Sequence, residues 1–232
     1  MRLTSFLGLV SLVAAAVESP ALARPSLPPD SMLQLAHYKV LTYADPAGGG
    51  INKGKAIGLF DATPDELYRV LTDYARYPEF APRVISARVV DRRGEGRAIV
   101  ELRTDLPWPV SEAWVLAEFD EEQLAGNTYR VRFWQVKGSL KRYSGSLLIE
   151  PWQTWKRGGT STLTYELVAE PDSSAPRRLI NNRVEEAVSK YVHALRQHVN
   201  DLRRLGLLHP QAPPQPNLAS PVHAVEDLAT RK

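Results

Sequence analysis

Cysteine is absent from the 232 residues of this chain. Disulfide bonds, thiolate metal ligands and thiol nucleophiles are therefore excluded, as is a lipid anchor attached to an N-terminal cysteine. After residue 23 the chain also lacks a run of about 18 consecutive apolar residues, the length that a membrane-spanning helix needs. These absences favour a soluble protein that depends on a hydrophobic core, for which 44% hydrophobic residues are sufficient.

Histidine is scarce, and its spacing does not indicate a metal site. Of the five histidines, His209 and His223 lie near the C-terminus, outside the predicted fold. His193 and His198 are five residues apart in a predicted helix, so they lie on different faces of it. No His-Glu-x-x-His pattern occurs. We therefore predict no metal, no cofactor and no catalytic residues of the Ser-His-Asp kind.

The charge pattern does not favour a nucleic-acid partner. The net charge is only +3, and the basic residues are scattered along the chain. Basic pairs at residues 92–93, 141–142 and 177–178 allow at most a transient contact with an anionic membrane surface. Glu121 and Glu122 are adjacent, so their side chains diverge. We interpret them as solvated surface groups rather than as a general acid and base.

The first 23 residues are typical of a secretory signal peptide. Arg2 supplies the positive start, residues 6–17 form a short apolar segment, and Ala21-Leu22-Ala23 is a small-residue cleavage site. We therefore expect an exported protein, located in the periplasm. The predicted organisation is a signal peptide at 1–23, a flexible leader at 24–36, a folded domain at 37–206 and a disordered proline-rich tail at 207–232.

Alternating polar and apolar residues predict a sheet over most of the folded domain. Residues 37–61 form a predicted hairpin, and segments from residue 83 to 169 alternate with short turns between them. Connections this short predict an antiparallel meander. Trp114 and Trp134 fall on the polar side of their strands. Either the alternation shifts at a β-bulge there, or these indoles cover an outer surface.

Two helical patterns accompany the predicted strands. Thr63, Pro64 and Glu66 predict the start of a short helix through a capping box with proline at the first position, and Pro78 predicts a second short helical turn. A longer amphipathic helix is predicted to begin at Pro176 and to end at Gly206. About 28 residues would span on the order of 40 Å, enough to cross the sheet.

This order of elements resembles the helix-grip fold of the START-like superfamily, in its polyketide cyclase/dehydrase and coenzyme Q-binding branch. The resemblance is carried by residues 61–64 and 73–82 on either side of the first short helix. Residues 143–151 and 164–167 and the helix entry at 178–182 fit the same branch. The resemblance implies an α+β fold in which a curved antiparallel sheet of six to seven strands wraps a long C-terminal helix, with two short helices after the first strand.

The resemblance also implies a deep apolar cavity between the sheet and the long helix, where relatives bind lipids, sterols, quinones or polyketides. Inward aromatic residues favour such a pocket, since buried tyrosine hydroxyls need partners. They are also compatible with an ordinary core. The predicted ligand-binding residues are Thr104, Val115, Phe119, Tyr129, Phe133, Gln135, Tyr143, Tyr165, Val188, Tyr191 and Leu195.

The favoured hypothesis is an exported soluble protein that binds a hydrophobic small molecule, either a lipid, a quinone or a polyketide-like compound. One alternative is a cyclase or dehydratase that uses a tyrosine or a buried carboxylate in the same cavity. Another is an envelope interaction module whose cavity is filled by its own side chains. The fold does not decide among these, because one fold supports several functions. An open cavity would argue against the filled module.

Overall fold

A computed structural model describes residues 27–94, 96–106, 112–152, 159–172 and 176–208. The predicted signal peptide and most of the predicted tail lie outside the described residues. Within them, no helix is both long and apolar enough to cross a membrane.

The described strands form one antiparallel sheet in the order β1-β2-β8-β7-β6-β5-β4-β3. The sheet has eight strands rather than the predicted six to seven, because the N-terminal hairpin joins the meander where β2 pairs with β8. The strands are β1 (Leu41–Pro46), β2 (Asn52–Phe60), β3 (Val84–Arg92), β4 (Arg97–Asp105), β5 (Glu112–Leu124), β6 (Thr128–Gly138), β7 (Leu140–Trp152) and β8 (Thr160–Pro171).

The predicted alternation of inner and outer residues is confirmed in the central strands. Most inward residues of β4 to β8 are buried, and the indoles of Trp114 and Trp134 are 37% and 38% exposed, as the outer-surface interpretation expects. A register shift also occurs between them, where Leu116 pairs with Lys137 and Ala117 with Gln135, so the predicted irregularity is present as well. Edge strand β3 departs from simple alternation. A register shift between Val84 and Ser86 leaves Ile85 exposed while Val84 packs against the core.

The first helical pattern forms α2 (Pro64–Thr72) and α3 (Tyr77–Phe80), joined by a short 3₁₀ turn (Tyr74–Arg76). They follow the second strand rather than the predicted first. The capping box is confirmed, since Thr63 Oγ1 accepts the Glu66 N–H at 3.2 Å and the Glu66 carboxylate accepts the Thr63 N–H at 2.8 Å. This helical segment connects β2, near one edge of the sheet, to β3 at the opposite edge.

An additional short helix, α1 (Pro29–Ala36), lies within the segment that was predicted to be a flexible leader. Its Leu35 is fully buried and packs in a small second core with Leu41 and Ile57. Arg196 donates hydrogen bonds to the carbonyl oxygens of Leu59 and Tyr38, at 2.9 and 2.8 Å, and so attaches the chain after α1 to the C-terminal helix. The prolines of this segment predicted flexibility, but Pro29 occupies the first position of the helix, where proline is favourable.

The long helix α4 (Arg177–Arg204) has the predicted 28 residues, and it packs against the inner face of the sheet mainly along β2 and β8. It lies closest to β2 at two glycines. A Cβ atom at Gly58 would lie 2.4 Å from Val192 Cγ1, and one at Gly54 would lie 2.9 Å from Val184 Cγ1. These glycines therefore allow the helix backbone to approach the strand closely.

Glu170 joins four parts of the fold. Its carboxylate, in a side chain only 5% exposed, accepts hydrogen bonds from Arg177 of α4 at 2.5 Å and from Arg142 of β7 at 2.8 Å. Lys141 lies 3.4 Å away. Arg142 also donates to the carbonyl oxygen of Gly48 in the loop between β1 and β2, at 3.1 Å. The hydrogen bond of Arg177 is the largest of the effects that lower the pKa of Glu170 to about 2.

We expect the contacts of Glu170 to make the free energy of unfolding depend on pH in the acid range. A carboxyl with a lowered pKa stabilises the folded protein at neutral pH, and this contribution is lost as the pH falls from about 4.5 to about 2. Glu170→Gln should therefore lower the free energy of unfolding at pH 7 and flatten its decline over that window, measured by chemical denaturation at several pH values. The exposed pair of Glu79 with Arg76 provides the control, because Glu79→Gln should change little. Equal acid dependence in Glu170→Gln and wild type would contradict this account.

Candidate ligand-binding cavity

A cavity of about 270 Å³ lies between the inner face of the sheet and the first half of α4. It is enclosed by β4 to β8 on one side, by α4 on another and by the end of α3 with the residues that follow it. Most of its wall is apolar. The apolar side chains are Ala81, Pro82, Val84, Leu102, Leu106, Ala113, Val115, Phe119, Phe133, Leu140, Leu147, Leu167, Ala169, Pro171, Leu179, Ile180, Val184 and Ala187.

Charged side chains lie only at the opening of this cavity. Glu186 pairs with two cations of its own helix, Lys190 at 2.6 Å and Arg183 at 3.1 Å, and all three side chains are at least 42% exposed. Across the opening, Arg83 pairs with Asp105 at 3.3 Å. These exposed pairs mark where the cavity meets solvent, and the wall behind them carries no charged side chain among the described residues.

Two of the four tyrosines in the wall have hydroxyls that interact with another described residue. Tyr77 donates to the carbonyl oxygen of Leu71 at 2.8 Å, and the Tyr191 hydroxyl interacts with that of Tyr77. These contacts connect α4 to the end of α2 through α3. Burial is the main reason why the pKa of both tyrosines lies well above the usual value of tyrosine.

The other two tyrosines, Tyr143 and Tyr165, have no hydrogen-bond partner among the residues that the structure describes. They flank Phe133, with ring centroids 5.2 and 6.4 Å from its ring. Neither hydroxyl belongs to the unpaired polar atoms that are sealed off from solvent, so both are accessible from the cavity. Burial in this apolar wall raises the pKa of both, which keeps them protonated hydrogen-bond donors.

This difference between the tyrosines predicts different effects of removing each hydroxyl. Tyr77→Phe should lower the free energy of unfolding by about 1 kcal/mol, because its buried hydrogen bond to the Leu71 carbonyl oxygen is lost. Tyr165→Phe should leave it unchanged or slightly higher, because its hydroxyl has no partner to lose. Urea denaturation of both variants and the wild type tests the assignment. A loss in Tyr165→Phe as large as in Tyr77→Phe would contradict it.

Seven of the eleven residues predicted to bind ligand line this cavity. They come from five different strands and from α4, and they are Thr104, Val115, Phe119, Phe133, Tyr143, Tyr165 and Tyr191. Thr104 is partly exposed near the end of β4, whereas Phe119 and Phe133 are almost fully buried. The structure thus brings these seven side chains to one wall, and their role in binding stays a prediction.

The other four predicted residues lie elsewhere in the described fold. Val188 and Leu195 are fully buried in the main core beneath α4. Tyr129 stacks on Tyr68 with a centroid distance of 4.4 Å, and its hydroxyl donates to Asp65. Gln135 donates to the carbonyl oxygen of Leu140 at 2.9 Å and so supports the turn from β6 to β7. Tyr129, Val188 and Leu195 are buried as an inward direction predicts, but the cavity occupies only part of the inner face.

Sequence reasoning missed the opening of the cavity. Arg83 has a positive φ of 65°, which is uncommon for a residue other than glycine and directs the chain from α3 into β3. Residues 81–84 therefore contribute to the wall although they contain no recognisable binding motif. On α4, the wall includes Ile180 and Val184 of the buried stripe, and it extends beside that stripe to Arg183, Ala187 and Tyr191. The spacing of four residues between the last three, on one helix face, was the available signal.

The interpretation of Glu121 as a solvated surface group is wrong. Its side chain is only 8% exposed. Its two oxygens accept hydrogen bonds from Tyr68 at 2.6 Å and Tyr74 at 2.8 Å, and Arg92 lies 3.9 Å away. Glu121 does not line the cavity. Its contacts connect the helical segment after β2 to strand β5.

Among the described residues, no group of histidine and carboxylate side chains is arranged to hold a metal ion.

The curved sheet, the long C-terminal helix and the cavity between them define the helix-grip class, and known structures share this architecture. A STAR-related lipid transfer protein from Xanthomonas axonopodis superposes with a TM-score of 0.59 at 21% identity, over 69% of this chain and 93% of that one. Human STARD10 superposes with a TM-score of 0.60 at 16% identity, over 82% of this chain and 88% of that one. The Zhui aromatase/cyclase from Streptomyces sp. R1128 superposes with a TM-score of 0.51 at 15% identity, over 66% of this chain and 96% of that one. At these identities the likeness concerns the fold.

The family is established by sequence. Residues 60–196, more than half of the chain, match the family described as polyketide cyclase/dehydrase and lipid transport, and the chain belongs to it. A search of curated proteins found no match. The predicted resemblance to the START-like superfamily is thereby confirmed.

Proposed function

We propose that this protein is a carrier that binds one hydrophobic small molecule, of the lipid, quinone or polyketide-like class, in the cavity between the sheet and α4. The observation that carries the proposal is an apolar cavity of about 270 Å³ with charged groups only at its opening. Ligand sites are mostly apolar concavities with a few oriented polar groups. Family membership supports a hydrophobic ligand.

The size of the cavity limits the part of the ligand that it can enclose. An apolar cavity of about 150 Å³ holds one benzene molecule, so about 270 Å³ accommodates roughly two fused rings or a chain of similar volume. A longer ligand would extend past the pairs of Arg83 and Glu186 into solvent. The proposal therefore places a compact apolar group inside and allows a tail or head group outside.

The chemistry of the wall supports a carrier more than a cyclase or dehydratase. Glu186 is the one carboxylate in the described wall, and its pKa is lowered by Lys190 and Arg183 at the exposed opening. The tyrosines have raised pKa values, which makes them weak acids. General acid–base catalysis favours a pKa near the working pH. An open cavity likewise disfavours the interaction module with a filled core.

Export to the periplasm is part of this proposal. It rests on the signal-peptide pattern of residues 1–23. Transient contact with a membrane surface is included at most, through the basic pairs at residues 92–93, 141–142 and 177–178. Fractionation of cells that produce the full chain would test export. We expect mature protein in the periplasmic fraction, and uncleaved precursor that stays in the cytoplasm would overturn the proposal of export.

A variant that fills the cavity tests the binding site. Ala169 of β8 lines the wall, and Ala169→Leu would place three additional carbon atoms inside the cavity. We expect it to weaken binding of the neutral fluorophore phenylnaphthylamine by about tenfold or more, through overpacking of the occupied cavity. The unfolding free energy of the empty protein should not fall.

The same substitution at an exposed position provides the matched control. Ala75 lies on the surface in the 3₁₀ turn, so Ala75→Leu should bind the fluorophore as the wild type does. Fluorescence titration of the three proteins gives the comparison. Equal affinity in Ala169→Leu and wild type would show that the fluorophore binds elsewhere and would overturn this site assignment.

A further inference from the structure

Among the described residues that line the cavity, the hydroxyls of Tyr143 on β7 and Tyr165 on β8 are donors without a partner in the protein. Tyr165 is only 7% exposed and Tyr143 is partly buried, and both border the cavity, so their hydroxyls meet either water or a bound molecule there. The neighbouring tyrosines differ, because the Tyr77 hydroxyl donates to the Leu71 carbonyl oxygen and the Tyr191 hydroxyl interacts with that of Tyr77.

Leaving a buried donor unpaired is unfavourable, and native proteins rarely do so without a functional reason. Phenylalanine would fill the same space at both positions without an unpaired hydroxyl. The two rings flank Phe133, and Tyr165 also lies 4.7 Å from Tyr191, so the donors belong to one aromatic wall. An acceptor atom on a bound molecule would provide the missing partner for these hydroxyls.

The acceptor must be neutral. The interior wall has no described cation to balance a buried anion, since Arg83, Arg183 and Lys190 lie at the opening and are each paired with a carboxylate. Burying an unpaired carboxylate or phosphate there would be strongly unfavourable. The same burial raises the pKa of Tyr143 and Tyr165, which keeps both as donors at physiological pH. A carbonyl oxygen meets these requirements.

We propose that the cavity selects a compact apolar ligand that carries a neutral carbonyl oxygen, and that Tyr143 and Tyr165 donate hydrogen bonds to that ligand. This inference rests on the proposed carrier function and adds a chemical requirement to it. An apolar cavity without donors would prefer a hydrocarbon to the corresponding ketone, because the carbonyl loses its hydration on entering. Two well-placed donors would remove or reverse that preference.

The test compares α-tetralone with tetralin, two fused-ring compounds that differ by a carbonyl in place of a methylene group. Affinities are measured by displacement of phenylnaphthylamine from the full-length mature protein. The wild type should bind α-tetralone at least as tightly as tetralin. Tyr143→Phe and Tyr165→Phe should each weaken α-tetralone binding by about threefold to tenfold, with tetralin unchanged within about twofold.

Tyr43 on β1 is 39% exposed and lies outside the cavity wall, so Tyr43→Phe is the matched control and should leave both affinities unchanged. Equal affinities for α-tetralone in wild type and both cavity variants would overturn the carbonyl requirement. If the affinities for α-tetralone were equal and tetralin still bound, the carrier function would stand without the carbonyl requirement. If neither compound bound the wild type, both the requirement and the proposed site would fail.

Discussion

Replacement of Tyr74 by alanine should lower the free energy of unfolding by about 3–5 kcal/mol, the largest loss that we expect from a single substitution. The Tyr74 side chain is fully buried. Its ring lies 4.4 Å from the ring of Phe119 and 5.6 Å from that of Tyr77, and its hydroxyl donates to Glu121 at 2.8 Å. Alanine would leave a cavity between the helical segment and β5 and would remove one of the two tyrosine donors to a buried carboxylate.

The packing and hydrogen-bonding contributions of Tyr74 can be separated. Tyr74→Phe retains the ring and loses only the bond to Glu121, so it should reduce the unfolding free energy by about 1–3 kcal/mol, as expected for a hydrogen bond to a charged group. Tyr68 still donates to Glu121 in that variant. Guanidinium denaturation of both variants provides the measurement. A loss below about 1 kcal/mol in Tyr74→Ala would contradict the structure at this position.

The second large effect is expected at Gly58, where α4 lies closest to the sheet. The backbone of Gly58 is outside the left-handed region, so the obstacle to a side chain is contact rather than strain. A Cβ atom there would lie 2.4 Å from Val192 Cγ1 and 3.0 Å from an Arg196 nitrogen. Gly58→Ala should therefore push α4 from β2 and lower the unfolding free energy by about 1–3 kcal/mol.

A double substitution tests whether that contact is the cause. Val192→Ala removes the methyl group that an added Cβ would meet, and it should destabilise by itself because Val192 is fully buried. When it is combined with Gly58→Ala, the loss should be smaller than the sum of the two single losses. Strict additivity of the two losses, measured by denaturant titration, would mean that the helix does not lie directly over Gly58.

Local patterns in the sequence were sufficient for the main elements of this fold. The capping box of Thr63 and Glu66 forms as predicted, because it depends on residues only three apart. The inward series of β5 and β6 are buried as predicted except for Gln135 at the register shift, because side-chain direction alternates along a strand. The long helix likewise follows its pattern and is followed by Gly206 with a φ of 68°.

Features that depend on distant contacts were not predictable from the same patterns. The burial of Glu121 depends on Tyr68 and Tyr74, which lie about fifty residues away in sequence. The boundary of the cavity depends on how α4 sits over the sheet. Val188 and Tyr191 both lie on the inward side of that helix, yet only Tyr191 borders the cavity. Periodicity identifies the buried face of a helix, and packing decides which part of it adjoins open space.

The central claim, that the cavity carries a hydrophobic small molecule, is tested most directly by native mass spectrometry of the full chain purified from the producing cells without detergent. We predict a fraction of wild-type protein with one additional non-covalent mass, which organic solvent releases. That fraction should be retained in Ala75→Leu and strongly reduced in Ala169→Leu. Wild-type protein that shows the polypeptide mass alone, before and after incubation with a lipid extract of the same cells, would contradict the claim.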